Sequence, residues 1–145
     1  MIGPLTGFHD GKLESVAVSD GTAAFGLAHV DGRRFRLNLS GVEALSINDF
    51  REGNIILELQ VLSASDFEKA GLSAGDVRAM LEVLFPRPHA NAAPNYHEAY
   101  DGFLQSQHER IDQGLAKLVL LDPAYGADLV AFCASAELLE ASQPE

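Results

Sequence analysis

Hydrophobic and polar residues alternate in short segments over the first part of the chain, and turn residues separate these segments. Asp-Gly pairs occur at positions 10–11, 20–21 and 31–32. Asp-Gly favours the type I′ turn, whose twist matches that of paired antiparallel strands. The spacing is typical of a β-meander. The predicted strands cover residues 12–19, 22–30, 33–39, 42–48 and 54–62.

The clearest alternation lies in the third and fifth predicted strands. In RRFRLNLS, the apolar residues 35, 37 and 39 form one face, and Arg34 and Arg36 point the other way. In NIILELQVL, one face is predicted to hold the apolar residues 55, 57, 59 and 61, and the other to hold Glu58 and Gln60. Such strands have one buried and one solvated face, as antiparallel sheets commonly do.

The period of the pattern changes after the fifth strand. Ser73 and Asp76 form a capping-box pattern, and apolar residues at helical spacing follow as far as Phe85. Prolines at positions 86 and 88 end this helix. A longer helix is predicted over residues 95–113.

The segment 115–133 has two interpretations. In the first, Asp122 is an N-cap and Pro123 occupies the first helical position, so that a helix covers residues 123–141. Alternatively, strands at 117–121 and 128–133 are joined by a Pro-Ala-Tyr-Gly turn. The closeness of Pro123 and Gly126 favours the hairpin, and the residues after Cys133 favour a short helix by propensity.

These elements predict an α+β fold with an antiparallel β-meander of about five strands, followed by helices packed on one face. The late hairpin would extend the sheet. We expect a single domain over residues 1–145, with a β-rich part at 1–62 and a mainly helical part at 63–145. Residues 142–145 resemble a frayed tail.

Charge narrows the range of partners. The net charge is −11: residues 1–62 have five basic and eight acidic residues (−3), and residues 63–145 have five basic and thirteen acidic residues (−8). Phosphate backbones are bound mainly through Lys and Arg, so binding to nucleic acid or to an anionic membrane is disfavoured. A basic protein is the partner that such a chain favours.

Cysteine content and the absence of a secretory pattern indicate the cellular compartment of the protein. The one cysteine, Cys133, rules out an intrachain disulfide and suits a reducing compartment. The N-terminal residues have no secretory pattern, and no apolar run approaches ~18 residues. We therefore expect a cytoplasmic protein that does not enter the membrane.

The most conspicuous candidate for chemistry is a repeated His-Glu-x-x-Asp pattern on the second helix. His97 with Asp101, and His108 with Asp112, lie in one stripe beside the apolar face. His-Glu-x-x-His on a helix can hold zinc, and here the fifth position is Asp. The two pairs are separated by roughly 16 Å, so one metal ion cannot bind both. We interpret the stripe as a solvated helix border, with a metal site as the alternative.

Two further sets of residues are candidates for ligand or partner contacts. Arg34 and Arg36 on one strand face can grip a carboxylate or phosphate, or can pair with acids on neighbouring strands. Tyr96 and Tyr100 near the start of the second helix can line a pocket or an interface. The possible interfaces include one in a homo-oligomer.

The remaining candidates favour structural roles. His9 beside Asp10 has no nucleophile elbow to serve, and is interpreted as a turn residue. His29 is interpreted as a partly buried, hydrogen-bonded residue, and Cys133 as a small core residue. No glycine-rich phosphate loop occurs in the sequence, and we predict no cofactor.

The sequence therefore favours a non-enzymatic protein-interaction or accessory module. Its small size and acidity are similar to those of small acidic bacterial immunity and accessory proteins, although no motif identifies a family. One alternative is a small metal-dependent hydrolase that uses the His-Glu-x-x-Asp helix. Another is a small-ligand-binding domain with a pocket between the sheet and the helices.

Overall fold

The computed structural model describes residues 8–141, so the predicted tail at 142–145 lies outside the described residues. These residues form an α+β fold, as predicted, with an antiparallel sheet and two α-helices. The strands are β1 Lys12–Ser19, β2 Thr22–Ala28, β3 Arg34–Ser40, β4 Ala44–Asn48, β5 Asn54–Leu62, β6 Lys117–Tyr125, β7 Asp128–Cys133 and β8 Ser135–Glu140. The helices are α1 Ala74–Leu84 and α2 Pro94–Asp112.

The first three strands form the predicted meander. β1 pairs with β2 and β2 pairs with β3, all antiparallel. The β1–β2 turn has positive φ at both Asp20 (44°) and Gly21 (74°), which is the conformation that a type I′ turn requires. Asp-Gly chemistry at this turn therefore fixes the register of the first hairpin.

The five-strand meander is wrong beyond β3. β4 pairs with β7 rather than with β3 or β5, and β5 pairs with β1 and β6. The order across the sheet is β4-β7-β6-β5-β1-β2-β3-β8. Strand segments can be read from local alternation, but a partner more than 80 residues away in sequence cannot, because many partners satisfy the same pattern.

The sheet closes on itself through two continuous stretches of chain. The chain continues from β3 directly into β4, and from β7 directly into β8. These two continuous segments pair with each other, β3 with β8 and β4 with β7. Between the paired strands, the Ala134 N–H donates to the carbonyl of Ser40 at 3.0 Å, and the Glu43 N–H donates to the carbonyl of Phe132 at 3.0 Å. Because β3 also pairs with β2 and β7 also pairs with β6, the ladder continues around the whole sheet.

Two apolar layers result from this closure. The interior of the curled sheet is filled from all sides, with Phe25, Leu37 and Val119 among its fully buried residues. A second layer lies between the helices and the outer face of β5, β6 and β7, and includes Leu81 and Phe132. The helices thus pack on one face, as predicted, and β6 and β7 are buried on both faces.

The first helix begins where its capping box predicts. The Ser73 hydroxyl accepts from the Asp76 N–H at 3.1 Å, and the Asp76 carboxylate accepts from the Ser73 N–H at 2.9 Å. The second helix differs from the prediction by one residue at each end, with Pro94 in its first turn. Neither helix of the described chain is long and apolar enough to cross a membrane.

The hairpin within 115–133 is confirmed, but its first strand continues through Pro123 to Tyr125, where the sequence predicts a Pro-Ala-Tyr-Gly turn. The short helix predicted after Cys133 is wrong. Residues 135–140 form β8, paired with β3 from Phe35↔Glu140 to Ser40↔Ser135. Ala136 and Leu138 pack against the sheet interior. Burying these two side chains and pairing β3 outweighs the helix propensity of the segment. The part after residue 62 therefore contributes three strands as well as both helices.

A β-bulge reverses the predicted faces of Ile56 and Leu57 in β5. Ile56 pairs with Pro123 and Glu58 pairs with Asp122, so Leu57 lies between them without a partner. Ile56 is fully buried, whereas Leu57 is 48% exposed, the reverse of the alternation read from the sequence. A bulge inserts one extra residue and shifts the side chains that precede it to the other face. After the bulge, Glu58 and Gln60 point outward as predicted.

Candidate functional site

The repeated His-Glu-x-x-Asp pattern does not bring its four residues together. His108 Nδ1 lies 3.2 Å from the Asp112 carboxylate, an i,i+4 pair. Asp101 instead pairs with Arg78 of α1 at 2.7 Å, and His97 is half-buried. No group of three or more His, Cys, Asp or Glu residues within residues 8–141 is arranged to hold a metal ion.

The other predicted contact residues are dispersed. Arg34 pairs with Glu14 at 3.2 Å, and Arg36 is exposed on β3. Tyr96 is exposed on the first turn of α2, while Tyr100 is buried and donates its hydroxyl to the Phe85 carbonyl at 2.6 Å. Tyr100 thus joins α2 to the end of α1.

His9 and His29 lie at a turn and in an aromatic cluster. His9 and Asp10 are both largely exposed, 3.7 Å apart, at the turn before β1. His29 is half-buried between the rings of Phe8 and Phe35, at centroid distances of 4.4 and 4.2 Å, and its Nδ1 lies 3.1 Å from the guanidinium of Arg33.

Cys133 has the surroundings of a core residue. It is fully buried, and burial raises the pKa of its thiol to about 11. A thiol with so high a pKa has little of the reactive thiolate form at neutral pH.

The feature that sequence analysis does not identify is a cleft between α1 and the outer face of the sheet. It has a volume of about 390 Å³. Its floor comes from β4, β5, β6 and β7, and its wall from α1 and the residues before it. The lining combines carboxylates and an amide with aliphatic side chains. We call it the carboxylate cleft, after Glu58, Asp122 and Asp128, which line it.

Strand register places the three carboxylates on the lining of the same cleft. Glu58 of β5 lies directly opposite Asp122 of β6, and Asp128 of β7 lies opposite Asn48 of β4. Asp122 and Asp128 continue the β6–β7 ladder just beyond its last pair, Leu121↔Leu129. Four neighbouring strands therefore place a row of polar side chains across one end of the cleft.

No cation of the described chain neutralises this row. The ion pairs found within residues 8–141 use other acids, such as Glu43 with Arg110 and Glu82 with Arg87. Partial burial, and secondly the charge of Asp128, raise the pKa of the Asp122 carboxyl above its ordinary value. Like charges opposite each other across strands are destabilising.

Gln60 adds a buried polar group to the same cleft. It follows Glu58 on the outward face of β5, lines the cleft floor, and is only 6% exposed. The amide side chains that form hydrogen bonds in the described part of the chain are those of Asn54, Gln105 and Gln107, and Gln60 is not among them. Within the described chain, the one fully enclosed polar side-chain atom without a partner is His29 Nε2, so the polar end of Gln60 is open to the cleft. Its polar atoms are therefore available to a ligand there.

The opposite wall of the cleft is aliphatic. Leu72, Met80 and Val83 line it, and Val83 is 54% exposed. None of the residues that line the cleft is aromatic. The cleft therefore offers negative charge at one end and a flexible hydrocarbon surface beside it.

Part of this site was visible in the sequence. The alternation in β5 assigns Glu58 and Gln60 to the outward face, and Asp122 and Asp128 bracket the predicted late turn. The sequence does not indicate that β5, β6 and β7 are neighbours, or that α1 covers them, and these placements create the cleft.

No protein family model matches this chain, and comparisons with curated proteins and with solved structures also find no match.

Proposed function

We propose that this chain is a non-enzymatic protein-interaction module that binds a basic segment of a partner protein in the carboxylate cleft. The observation behind the proposal is the row Glu58, Asp122 and Asp128, which lies beside an apolar wall without an ion pair in the described chain. The proposal keeps the accessory role that the acidic composition favours and assigns it a surface.

Two physical effects support binding of a basic partner. A cation placed in the row relieves the repulsion between Asp122 and Asp128. The net charge of −11 attracts a basic partner over longer distances and accelerates the encounter. The first effect is specific to the cleft, and the second depends on the charge of the whole molecule.

The experiment must separate these two effects. The cleft variant is the triple substitution Glu58→Gln, Asp122→Asn and Asp128→Asn. The control is Glu98→Gln, Glu68→Gln and Asp20→Asn, three exposed acids that lie outside the cleft. Both variants remove three negative charges, so they change long-range attraction equally.

The probe is an array of immobilised peptides that carry lysine or arginine among leucine and alanine, read at low and at physiological salt. We expect the wild type and the control to bind the same peptides, and the cleft variant to lose them. Binding should weaken at higher salt because salt screens the attraction between exposed charges that are more than ~8–10 Å apart. If the cleft variant and the control bind equally, attraction is a property of net charge, and the proposal fails.

The metal-dependent hydrolase remains a second proposal, which the His108–Asp112 pair favours. These two residues line the groove between α1 and α2. Elemental mass spectrometry of chelator-free protein tests it, together with the His97→Ala and His108→Ala variants. About one zinc, manganese or iron per chain, lost in His108→Ala and kept in His97→Ala, would support this proposal over the interaction module.

A further inference from the structure

We infer that the carboxylate cleft is a binding site for an aliphatic primary ammonium, and that the occupant is a lysine side chain of the partner. This inference rests on the proposed function and names the group that the cleft recognises. The ammonium lies at the end of the cleft that the carboxylates and the Gln60 amide line, and the methylene chain lies along the aliphatic wall.

The polar end of the cleft matches an ammonium in charge and in number of acceptors. An ammonium has three donors that point in different directions. Glu58, Asp122 and Asp128 come from three strands and present separate carboxylates, and the Gln60 amide oxygen is a fourth acceptor. The Gln60 amide oxygen, which has no partner among the described residues, can accept a hydrogen bond from the ammonium.

A guanidinium matches the same cleft less well. It is planar and favours two parallel hydrogen bonds to one carboxylate, or stacking on an aromatic ring. Elsewhere in this molecule, Arg51 lies over the Tyr125 ring at 5.9 Å and Arg110 over the Phe132 ring at 5.3 Å. The cleft has no aromatic lining residue, so it offers a guanidinium no such surface.

The aliphatic wall matches the stem of a lysine. Lysine covers apolar surface with its four methylenes while its charged end stays among polar groups. Leu72, Met80 and Val83 provide such a surface next to the carboxylates. A bare metal ion would not use this wall, and the described acids do not form a metal-binding group.

The test uses Met80 as a reporter inside the cleft. The sequence has two methionines, Met1 and Met80, so a spectrum of the full chain labelled with ¹³C-methyl methionine is simple. The Met80→Leu variant assigns the signal. The probes are an alanine-leucine peptide with one central lysine, and the same peptide with arginine, Nε-acetyllysine or norleucine in its place.

We expect the lysine peptide to shift the Met80 methyl signal saturably. The arginine peptide should bind at least about tenfold more weakly, and the acetyllysine and norleucine peptides should leave the signal unchanged, because they lack the charge. Gln60→Leu should weaken the lysine peptide by roughly tenfold, since a hydrogen bond to a charged group is lost. Glu58→Gln, at the exposed rim, gives the same readout without changing a buried residue.

Other results separate the two proposals. If the arginine peptide shifts Met80 as strongly as the lysine peptide, the lysine inference fails and the basic-partner function stands. If no cationic peptide shifts Met80, both fail. A free aliphatic diamine that binds more tightly than the lysine peptide would overturn the protein partner and make the cleft a small-molecule site.

Discussion

Two buried amide side chains on the same strand have opposite surroundings. Asn54, at the start of β5, is 1% exposed, and Gln60, near its end, is 6% exposed. The Asn54 carbonyl oxygen accepts from the N–H groups of Arg51 at 2.8 Å and Ala127 at 3.0 Å. Its amide group donates to the carbonyls of Leu13 at 3.2 Å and Arg51 at 2.6 Å. The Gln60 side chain has no hydrogen bond to any described residue.

The difference separates a residue that builds the fold from one that is available to a ligand. Asn54 ties together β1, the β4–β5 loop and the β6–β7 turn, three segments that are distant in sequence. A fully hydrogen-bonded buried amide stabilises such a junction, whereas the polar end of Gln60 is open to the cleft. Gln60 lines an open cleft beside three carboxylates, so its missing partners can be supplied from outside the chain.

The largest effect on stability should come from removing the Asn54 amide. Asn54→Ala leaves the Arg51 and Ala127 N–H groups without this acceptor, and two backbone carbonyls without this donor. We expect the free energy of unfolding to fall by about 3 kcal/mol, measured by urea denaturation. Asn48→Ala, at an exposed strand end, is the control and should change it little. A loss below about 1 kcal/mol for Asn54→Ala would remove the contrast with Gln60.

A smaller loss should follow from crowding the same junction. Gly126 has a φ of +85°, and a Cβ there would collide with the Asn54 carboxamide. Gly32 has a φ of +91° and no atom near its Cβ position. Both substitutions to alanine incur backbone strain of roughly 1–2 kcal/mol, but Gly126→Ala also displaces Asn54. Thermal unfolding should rank Gly126→Ala as less stable, and equal losses would mean that the junction tolerates displacement.

Replacing Gln60 should leave stability unchanged or raise it slightly. Gln60→Leu removes an amide that has no partner in the described chain and adds hydrocarbon to a cleft already lined by Met80 and Leu120. We expect the free energy of unfolding to stay constant or to rise by up to about 1 kcal/mol in urea titrations. A loss comparable to that of Asn54→Ala would show that Gln60 stabilises the fold, and the cleft would lose its recognition residue.

The smallest effects concern pH and have opposite signs at two carboxyls. The pKa of Asp122 is raised by partial burial and by Asp128, so the folded chain holds that proton more tightly than the unfolded chain. Ionisation of Asp122 therefore costs stability above its folded pKa, and the cost disappears as pH falls below about 4. Asp122→Asn should raise the melting temperature at pH 7 and not at low pH.

Asp76 is the matched counterpart. Hydrogen bonds from the Ser73 backbone, and then from its hydroxyl, lower the pKa of the Asp76 carboxyl. The stability from its ionised form is present above the ordinary pKa and is lost as pH falls through the folded value. Asp76→Asn should lower the melting temperature at pH 7, with no difference at low pH. Calorimetric melts of both variants across this range check the signs, and a shared sign would contradict the account of Asp122.

Local rules in the sequence determined most of the elements. Asp20-Gly21 specifies the first turn, Ser73 and Asp76 specify the start of α1, and alternation specifies which side chains of β3 are buried. Each of these features depends on residues a few positions apart, whose backbone angles and faces are set by local sterics and hydrogen bonding. The α+β class followed from the same information.

Only the tertiary structure decided which strands are neighbours and where the site lies. β4 pairs with β7, residues 135–140 form a strand that pairs with β3, and a bulge places Leu57 on the outer face. These outcomes depend on the packing of the whole core and on pairing between distant segments, which no local pattern encodes. For the same reason the sequence placed Glu58 and Gln60 on a solvated face, and the fold made that face the floor of a cleft under α1.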